Sequence, residues 1–448
     1  MSPVSRRAFL RWGAGAGVGA LLAACAPPAP PAEPTAQAEP SEAEPTAAPS
    51  TGREKVTLTV WMNDRLYVQS FQNRKQAFAD AHPDYDFEFV IEENPDLWDN
   101  IITLFVGGLE EVDILAIERT QMSRLWKDNL ADQRLVALND LLTPEEFEGH
   151  MRWEMFTWNG KTYGVSAEMD GVAFYYRTDL FEEAGIDVDA IETYDDFIEA
   201  GRALRKLDKY IIYLASADVN FQLMNQNDGG YFSADGEVLI DSPETIEAVQ
   251  LQYDMLRTHE VALETADVWS SGGQEGFRNG TVAACIEADW WSDYYLKAFV
   301  PELSGKWRLR KLPVFRAGGR PTASLGGTGH CISKSTPNLE LALDFLRMTY
   351  IDKENLIQIF LDTHYFPPMK ACWEDPRIRE FTDEYYGGQA TGAVWADLAP
   401  LTPLDPTHEF KPEAQDLTAK QVALAFEGEK TIEEALKEAA DELRRLMG

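Results

Sequence analysis

Hydrophobic and polar positions alternate from Val56 through Leu58 to Val60, and again along Tyr85, Phe87, Phe89 and Ile91. A period of two predicts strands with one buried face. Between them Phe71, Phe78 and Ala81 recur at helical spacing, and His82-Pro83 ends that helix because the residue before proline is pushed out of the helical region. Trp98, Ile101, Ile102, Phe105 and Leu109 mark a second helix, and Asp113 opens the apolar run Ile114-Leu115-Ala116-Ile117. The order βαβαβ predicts a parallel sheet flanked by helices, with ligands at the carboxyl ends of its strands. Trp61-Met62-Asn63-Asp64 and Glu118-Arg119 stand at two such ends.

A second unit of the same kind follows. Val172 to Tyr176 reads as a strand, Asp179 as a candidate cap for a short helix over Leu180 to Ala184, and Gly185 as its stop. Thr193-x-x-Asp196 has the form of a capping box. Turns at Asp228-Gly229-Gly230-Tyr231 and Asp235-Gly236 precede Val238-Leu239-Ile240, and Ser242-Pro243 starts a helix through about Arg257. Further helices are predicted from Ser335 to Tyr350 and from the box Thr431-x-x-Glu434 to Leu446. No short fixed period recurs, which excludes solenoids and propellers.

The first 53 residues carry none of this patterning. Ser5-Arg6-Arg7-Ala8-Phe9-Leu10-Arg11 leads into a weakly apolar stretch from Trp12 to Ala24 without an acidic residue. Residues 1–25 read as a signal peptide, and the paired arginines resemble a twin-arginine export signal. The glycines at 13, 15, 17 and 19 follow no strand and are not a dinucleotide loop. Leu22-Ala23-Ala24-Cys25 resembles a bacterial lipobox, which makes Cys25 the expected acylation site and membrane lipid an expected partner. Residues 26–53, rich in Pro, Ala, Glu, Thr and Ser, cannot build a core and read as an extended linker. The remainder is expected outside the cytoplasm, tethered to the cell membrane, in a periplasm or on the outer face of a single-membrane cell.

The length of 448 residues asks for more than one core. A formal net charge of −35 repels phosphate backbones, so no nucleic-acid partner is expected. Four cysteines without metal-ligand spacing, and six scattered histidines, point to no structural metal and no cofactor. The motifs G-x-S-x-G, H-E-x-x-H and G-x-x-x-x-G-K-[ST] are absent.

Several landmarks run in one order: Asn159-Gly160-Lys161-Thr162-Tyr163-Gly164-Val165; Phe174-Tyr175-Tyr176-Arg177-Thr178-Asp179-Leu180; Phe277-x-x-Gly280-x-x-Ala283-Ala284 before Trp291; Gly326-Gly327-x-Gly329 before Ile332-Ser333-Lys334-Ser335; and Thr431-Ile432-Glu433-Glu434-Ala435-Leu436. Over about residues 55 to 448 this pattern resembles the extracellular solute-binding proteins of carbohydrate ABC importers, the group of the maltose-binding protein. The resemblance implies an α/β, two-lobed periplasmic-binding-protein-like fold, with hinge-connected α/β domains around a central cleft. Lobe one is expected over 54–168 plus 290–340 and lobe two over 169–286 plus 341–448. The implied function is capture of a sugar or oligosaccharide by hinge closure, as a monomer, for delivery to the permease subunits of an ABC importer. A carbohydrate-active enzyme outside the cytoplasm, or a receptor for a metal or peptide, stands as the alternative.

The same resemblance places ligand contacts at Trp61, Asn63 and Asp64 after the first strand, at Glu118-Arg119, and at Asp170 just before the Phe-Tyr-Tyr strand. Asn220, Gln222 and Asn225, ahead of the Asp228 turn, are candidates from lobe two. Asp289, Trp290 and Trp291 follow the second crossing, where the family's usual glycine is replaced by Asp289. Pro412-Glu413-Ala414-Gln415 stands where maltose-binding protein has a sugar-stacking tryptophan, so maltose itself is not implied.

Sugars offer an apolar ring face rimmed by hydroxyls, which calls for aromatic platforms beside carboxylates, amides and guanidinium groups. The chain has 12 tryptophans. Trp98 and Trp153 read as core. Trp61, Trp290 and Trp291 stand open between core and ligand, and Trp395 precedes a proline- and threonine-rich loop that could line the cleft. For Asp64, Glu118, Arg119, Asp170 and Asp289 the alternative is a solvated charge or ordinary ion pair. Several acids in one cleft would repel anions and suit neutral or cationic solutes. Cys285, Cys331 and Cys372 remain beside Cys25; since the resemblance puts the strands of Cys285 and Cys331 near the lobe junction, a bridge between these two is expected, against three buried thiols.

Overall fold

The computed structural model describes residues 52–215, 221–265 and 267–448. The expected leader, the acylation site at Cys25, nearly all of the linker and the candidate Asn220 lie outside those residues. Among the described residues no helix is long and apolar enough to cross a membrane.

Strand β1 (Glu54–Met62) buries Val56, Leu58, Val60 and Met62 on one face, as its alternation predicts. Each such side chain removed from water contributes about 1.5–3 kcal/mol. Helix α1 (Arg65–Ala81) follows at once, because the Asp64 carboxylate accepts the Leu66 amide hydrogen at 2.6 Å and so caps the first turn. The chain returns in β2 (Tyr85–Glu93), parallel to β1 with Val56 opposite Phe87 and Val60 opposite Ile91. Two short helices, α2 (Asp96–Asp99) and α3 (Ile101–Gly107), lead to β3 (Ile114–Glu118), which is buried along its whole length. Glu118 ends β3 and caps α4 (Arg119–Trp126) by accepting the Thr120 amide hydrogen at 2.6 Å.

Strand β4 (Gly164–Ser166) still belongs to the first half; the second is built on β5 (Val172–Arg177), then α5 (Tyr194–Arg205), whose Thr193 and Asp196 form the expected capping box. Strand β6 (Ile212–Leu214) pairs in parallel with β7 (Ala262–Glu264), with α6 (Phe221–Gln226) and α7 (Pro243–Tyr253) between them. Ser242 caps α7 and Pro243 fills its first turn. Strands β8 (Ala284–Ala288), β9 (Trp307–Arg310) and β10 (Thr328–Ile332) precede helices α8 (Leu339–Tyr350), α9 (Lys353–Thr363), α10 (Lys411–Phe426) and α11 (Ile432–Met447).

The fold is α/β with two principal sheets. The first has the order β2-β1-β3-β10-β4, parallel from β2 to β3 and antiparallel at β10. The second has the order β8-β5-β9, antiparallel throughout.

Strand pairing and helix packing cross the expected lobe boundaries in two places. β9 lies within 290–340 but pairs with β5 in the second sheet, Trp307 opposite Arg177, while β10 joins the first sheet. The start of 341–448 also packs on the first half: Phe345 of α8 lies 5.1 Å from Phe71 and 4.6 Å from Phe78 between ring centroids. That aromatic face of α1 needs a cover, and α8 supplies it.

The expected bridge between Cys285 and Cys331 is not formed; both, with Cys372, are free and buried. Cys285 is on β8 opposite Tyr175, and Cys331 is on β10 between Leu115 and Gly164, so the two thiols belong to different sheets. Burial pushes the Cys285 thiol well above its ordinary range and raises that of Cys331.

Candidate functional site

The carboxyl ends of β1 and β3 carry Asn63-Asp64 and Glu118-Arg119 to one chamber of about 360 Å³. It is closed elsewhere by Tyr67, Trp98, Gln121, Glu168, Trp269, Trp290, Tyr294, Tyr365 and the Leu325-Gly326-Gly327-Thr328 turn. That turn brings backbone against side chains. At Gly326, with φ +99°, a Cβ atom would meet the Trp290 indole nitrogen at 2.7 Å; at Gly327, with φ +122°, it would meet the Met155 methyl at 2.5 Å. Only glycine suits both the conformation and the space. The Trp290 indole N–H donates to the Leu325 carbonyl at 3.0 Å, which fixes the ring beside the turn.

The polar floor is a set of paired groups. Asp64 also accepts the Tyr365 hydroxyl hydrogen at 2.5 Å, and burial pushes its carboxyl up to about 6. Tyr67 donates its hydroxyl hydrogen to Glu168 at 2.5 Å. Arg119 is anchored by an ion pair to Asp405 and a bond to the Gly326 carbonyl, and its guanidinium lies 5.1 Å from the Phe221 ring centroid. Asp405 also pairs with the buried Lys411, whose ammonium is pushed well below its ordinary range by burial and then by Arg119. The 402–411 stretch thereby joins the two halves: Leu404 O accepts from the Asn225 amide of α6 at 3.0 Å, and Thr407 accepts the Trp126 indole hydrogen of α4 at 2.6 Å.

Behind the floor lie three buried acids. Burial raises Glu168 and Asp289 well above the carboxylate range and Asp170 to about 6; Asp170 further raises both neighbours. Asp289 accepts the backbone hydrogens of Phe366 and Trp290, both at 3.0 Å. Asp170, in the left-handed region at φ 54°, is fully buried with Arg152 as its ion-pair partner.

Of the sequence candidates, Asn63, Asp64, Glu118, Arg119 and Trp290 line the chamber. Asp170 and Asp289 lie beneath its surface and support it. Trp61 is half-buried against the cluster around Phe105 and Leu115, away from the chamber lining. Gln222 and Trp291 line a separate cavity of about 340 Å³ with Trp269 and Glu287, and burial pushes the Glu287 carboxyl up to about 8. Trp291 is stacked on Tyr295 with centroids 3.8 Å apart. Asn225 spends its amide on Leu404 and on the Ser324 amide hydrogen. Trp395 is 5% exposed, packed 6.2 Å from Tyr175, and is a core residue.

The expectation for Trp98 is reversed: it is 42% exposed and lines the chamber, tied through its indole N–H to the Asn63 carbonyl at 3.0 Å. Trp153 is buried as expected. Sequence reading missed Tyr67, Glu168, Trp269, Tyr294 and Tyr365. Glu168 and Tyr365 carry no local motif, whereas Trp269, next to the Ser270 cap of a glycine-rich helix, had the signal of an aromatic ring in a polar loop. Among the described residues no group of three or more His, Cys, Asp or Glu side chains is placed to hold a metal ion.

The arrangement sets aromatic rings against carboxylates, an amide and a guanidinium, the pairing that hydroxyl-rich rings require. The family of bacterial extracellular solute-binding proteins matches residues 73–383. An arabinooligosaccharide-binding protein of Halalkalibacterium halodurans is 27% identical over 73% of this chain and 75% of its own. A lactose-binding protein of Rhizobium radiobacter is 25% identical over 76% and 81%. Among solved structures, the ABC-transporter-associated binding protein of B. animalis subsp. lactis with β-1,6-galactobiose superposes with a TM-score of 0.70 at 19% identity, covering 86% of this chain and 96% of its own. Maltose-bound MalE3 of T. maritima gives 0.67 at 22% identity, covering 88% and 99%.

Proposed function

This chain belongs to the family of bacterial extracellular solute-binding proteins, and from that premise we propose that it is the substrate receptor of an ABC importer, binding a neutral sugar or oligosaccharide in the chamber at the ends of β1 and β3. The observation that carries the reading is the lining itself: Trp98, Trp269 and Trp290 beside Asp64, Glu118, Gln121 and Arg119. Ring faces stack on the indoles while carboxylates accept, and the guanidinium donates, hydrogen bonds to adjacent hydroxyls. Asp64 and Glu118 oppose an anionic ligand. The relatives named for arabinooligosaccharides and lactose support the same ligand class.

In this reading the chain binds without turnover, and the two halves close about the 402–411 crossing and its neighbours as the ligand is engaged. The loaded form docks on permease subunits as a monomer, held at the membrane by acyl chains on Cys25 after export. A thermal-shift series with neutral mono- and oligosaccharides tests it, since a ligand of the folded state raises the melting point by mass action. At least one neutral sugar is expected to shift the transition and to be recovered intact. Stabilisation by sugar phosphates alone, or cleavage of the bound glycan, overturns it.

A further inference from the structure

Trp269 and Tyr294 are shared between two cavities. On one side they line the ligand chamber; on the other, with Arg65, Ala298 and Phe299, they line an outer shelf of about 420 Å³. Around Trp269 the rings form one continuous surface, with Tyr294 at 5.8 Å and Phe299 at 6.4 Å between centroids. Trp269 is 40% exposed and Phe299 38%, so two large aromatic faces stand in water at the rim of the chamber. Leaving such area unburied forgoes about 25 cal/mol per Å² of apolar surface. Arg65 lies over the Tyr294 ring at 5.2 Å and donates to the Asp293 carbonyl at 3.0 Å, which holds an exposed guanidinium flat at the shelf edge.

We propose that this shelf is an outer subsite for a further unit of a neutral oligosaccharide whose inner end occupies the chamber. The inference rests on the reading of the chamber as a saccharide site and extends it to ligand length. A sugar ring brings to the shelf what its residues can use: a C–H face for Trp269 and Phe299, and hydroxyls as acceptors for Arg65. Trp269, turned edge-on to Phe299 at 84° and to Tyr294 at 68°, marks the passage from one compartment to the other. Among the described residues the shelf has no carboxylate in its lining, unlike the chamber, so it adds stacking and the donors of Arg65 without an acidic group.

The test is calorimetric titration of the full chain with arabino-oligosaccharides of one to five units, and in parallel with lactose and a malto-oligosaccharide series. In the series that binds, affinity is expected to rise about tenfold at the length that reaches the shelf. Phe299→Ala and, separately, Arg65→Ala are expected to lower the ratio of long-ligand to short-ligand affinity about five- to tenfold. Affinity independent of length, or an unchanged ratio in both variants, overturns the subsite while leaving the chamber reading intact. If these series fail, the oligomers of whichever neutral sugar raises the melting point take their place; a melting point raised by no neutral sugar overturns the chamber reading, and the subsite with it.

Discussion

The Nε atom of Arg152 lies 3.3 Å from Oδ2 of Asp170, with the two side chains 1% and 0% exposed and neither of those atoms engaged in a hydrogen bond. The contact between the two is one of charge, while the rest of the guanidinium is held by the Pro403 carbonyl and the Ser324 hydroxyl beneath the ligand chamber. The acids beside it cannot readily take over, because burial, the largest cause of their raised values, remains when Asp170 is replaced. Asp170→Asn keeps a residue type that tolerates φ 54° but leaves Arg152 charged and buried. The expected loss is about 3 kcal/mol in urea unfolding. An equal or more stable variant would mean that relief of repulsion on Glu168 and Asp289 outweighs the lost ion pair.

Stability should fall as pH rises from 7 to 8.5. Glu287 is pushed up to about 8, and Glu168 and Asp289 well above their ordinary range, so the native state holds protons that the unfolded chain has released. Such groups stabilise fully below the unfolded pKa of about 4, and the gain is lost as pH passes the folded values. Asp64 and Asp170, both near 6, lose theirs between pH 4 and 7. There His150 and His330, depressed by burial to about 4 and about 3, pull the other way, since the unfolded chain takes up their protons below about 6.5. Glu287, Glu168 and Asp289 hold their protons there too, so the acids outweigh the two histidines, and at higher pH the depressed Lys411 as well; melting temperatures should therefore decline from about pH 5.5 to 8.5, with a shallower decline in Glu287→Gln. A melting temperature that climbs from pH 7 to 8.5 contradicts the burial of these acids.

What the sequence made legible was whatever depends on short-range geometry. The alternation of β1, the capping boxes at Thr193 and Thr431, and the polar residues after β1 and β3 are set within a few positions of chain, and the structure has them there. Trp98 shows where this stops. Its helical spacing with Ile102 reads as part of a buried stripe, yet both are at least 40% exposed, because Ile101 and Phe105 supply the face that packs. Asp170 sits at the right place in the chain but is fully buried, since burial depends on Arg152 and the Gly326-Gly327 turn, which are distant in sequence. Likewise β9 looks the same whichever sheet it joins; only its pairing with β5 decides.

Trp98→Ala and Trp269→Ala should separate binding from folding. Both rings are at least 40% exposed; truncation is expected to cost less than about 1 kcal/mol at Trp98 and about 1–3 kcal/mol at Trp269, which packs against Trp291, Tyr294 and Tyr295. Affinity for the sugar found in the thermal-shift series should drop about tenfold for each, read by titration calorimetry. Unaltered affinity in both would remove the aromatic wall from the site.

The three body cysteines should behave as core residues. Raised thiol pKa values and burial make them poor nucleophiles in the folded state. A maleimide label is expected to leave Cys285, Cys331 and Cys372 unmodified in the native protein and to reach all of them in denaturant without reductant. The melting temperature should be the same with and without dithiothreitol; a fall on reduction would point to a bridge.

Asp405 is the counter-ion of two buried cations at once, Arg119 at the chamber wall and Lys411 at the start of α10, with side-chain exposures of 7% and 2%. Removing it leaves Lys411 without its counter-ion and Arg119 with only Glu118 and the Gly326 carbonyl, and frees the 402–411 stretch from the side of the first half. Asp405→Ala is expected to cost about 3–5 kcal/mol in unfolding free energy. Because Arg119 also loses one of its two anchors, ligand affinity should fall with it, and amide exchange should quicken across 402–411 before it does in the sheets. Lys411→Met in the same background is expected to recover part of the stability, since the orphaned ammonium is gone, but none of the affinity, since Arg119 still lacks Asp405. Recovery of both together would show that Asp405 acts on the site through Lys411 and not through its direct ion pair with Arg119.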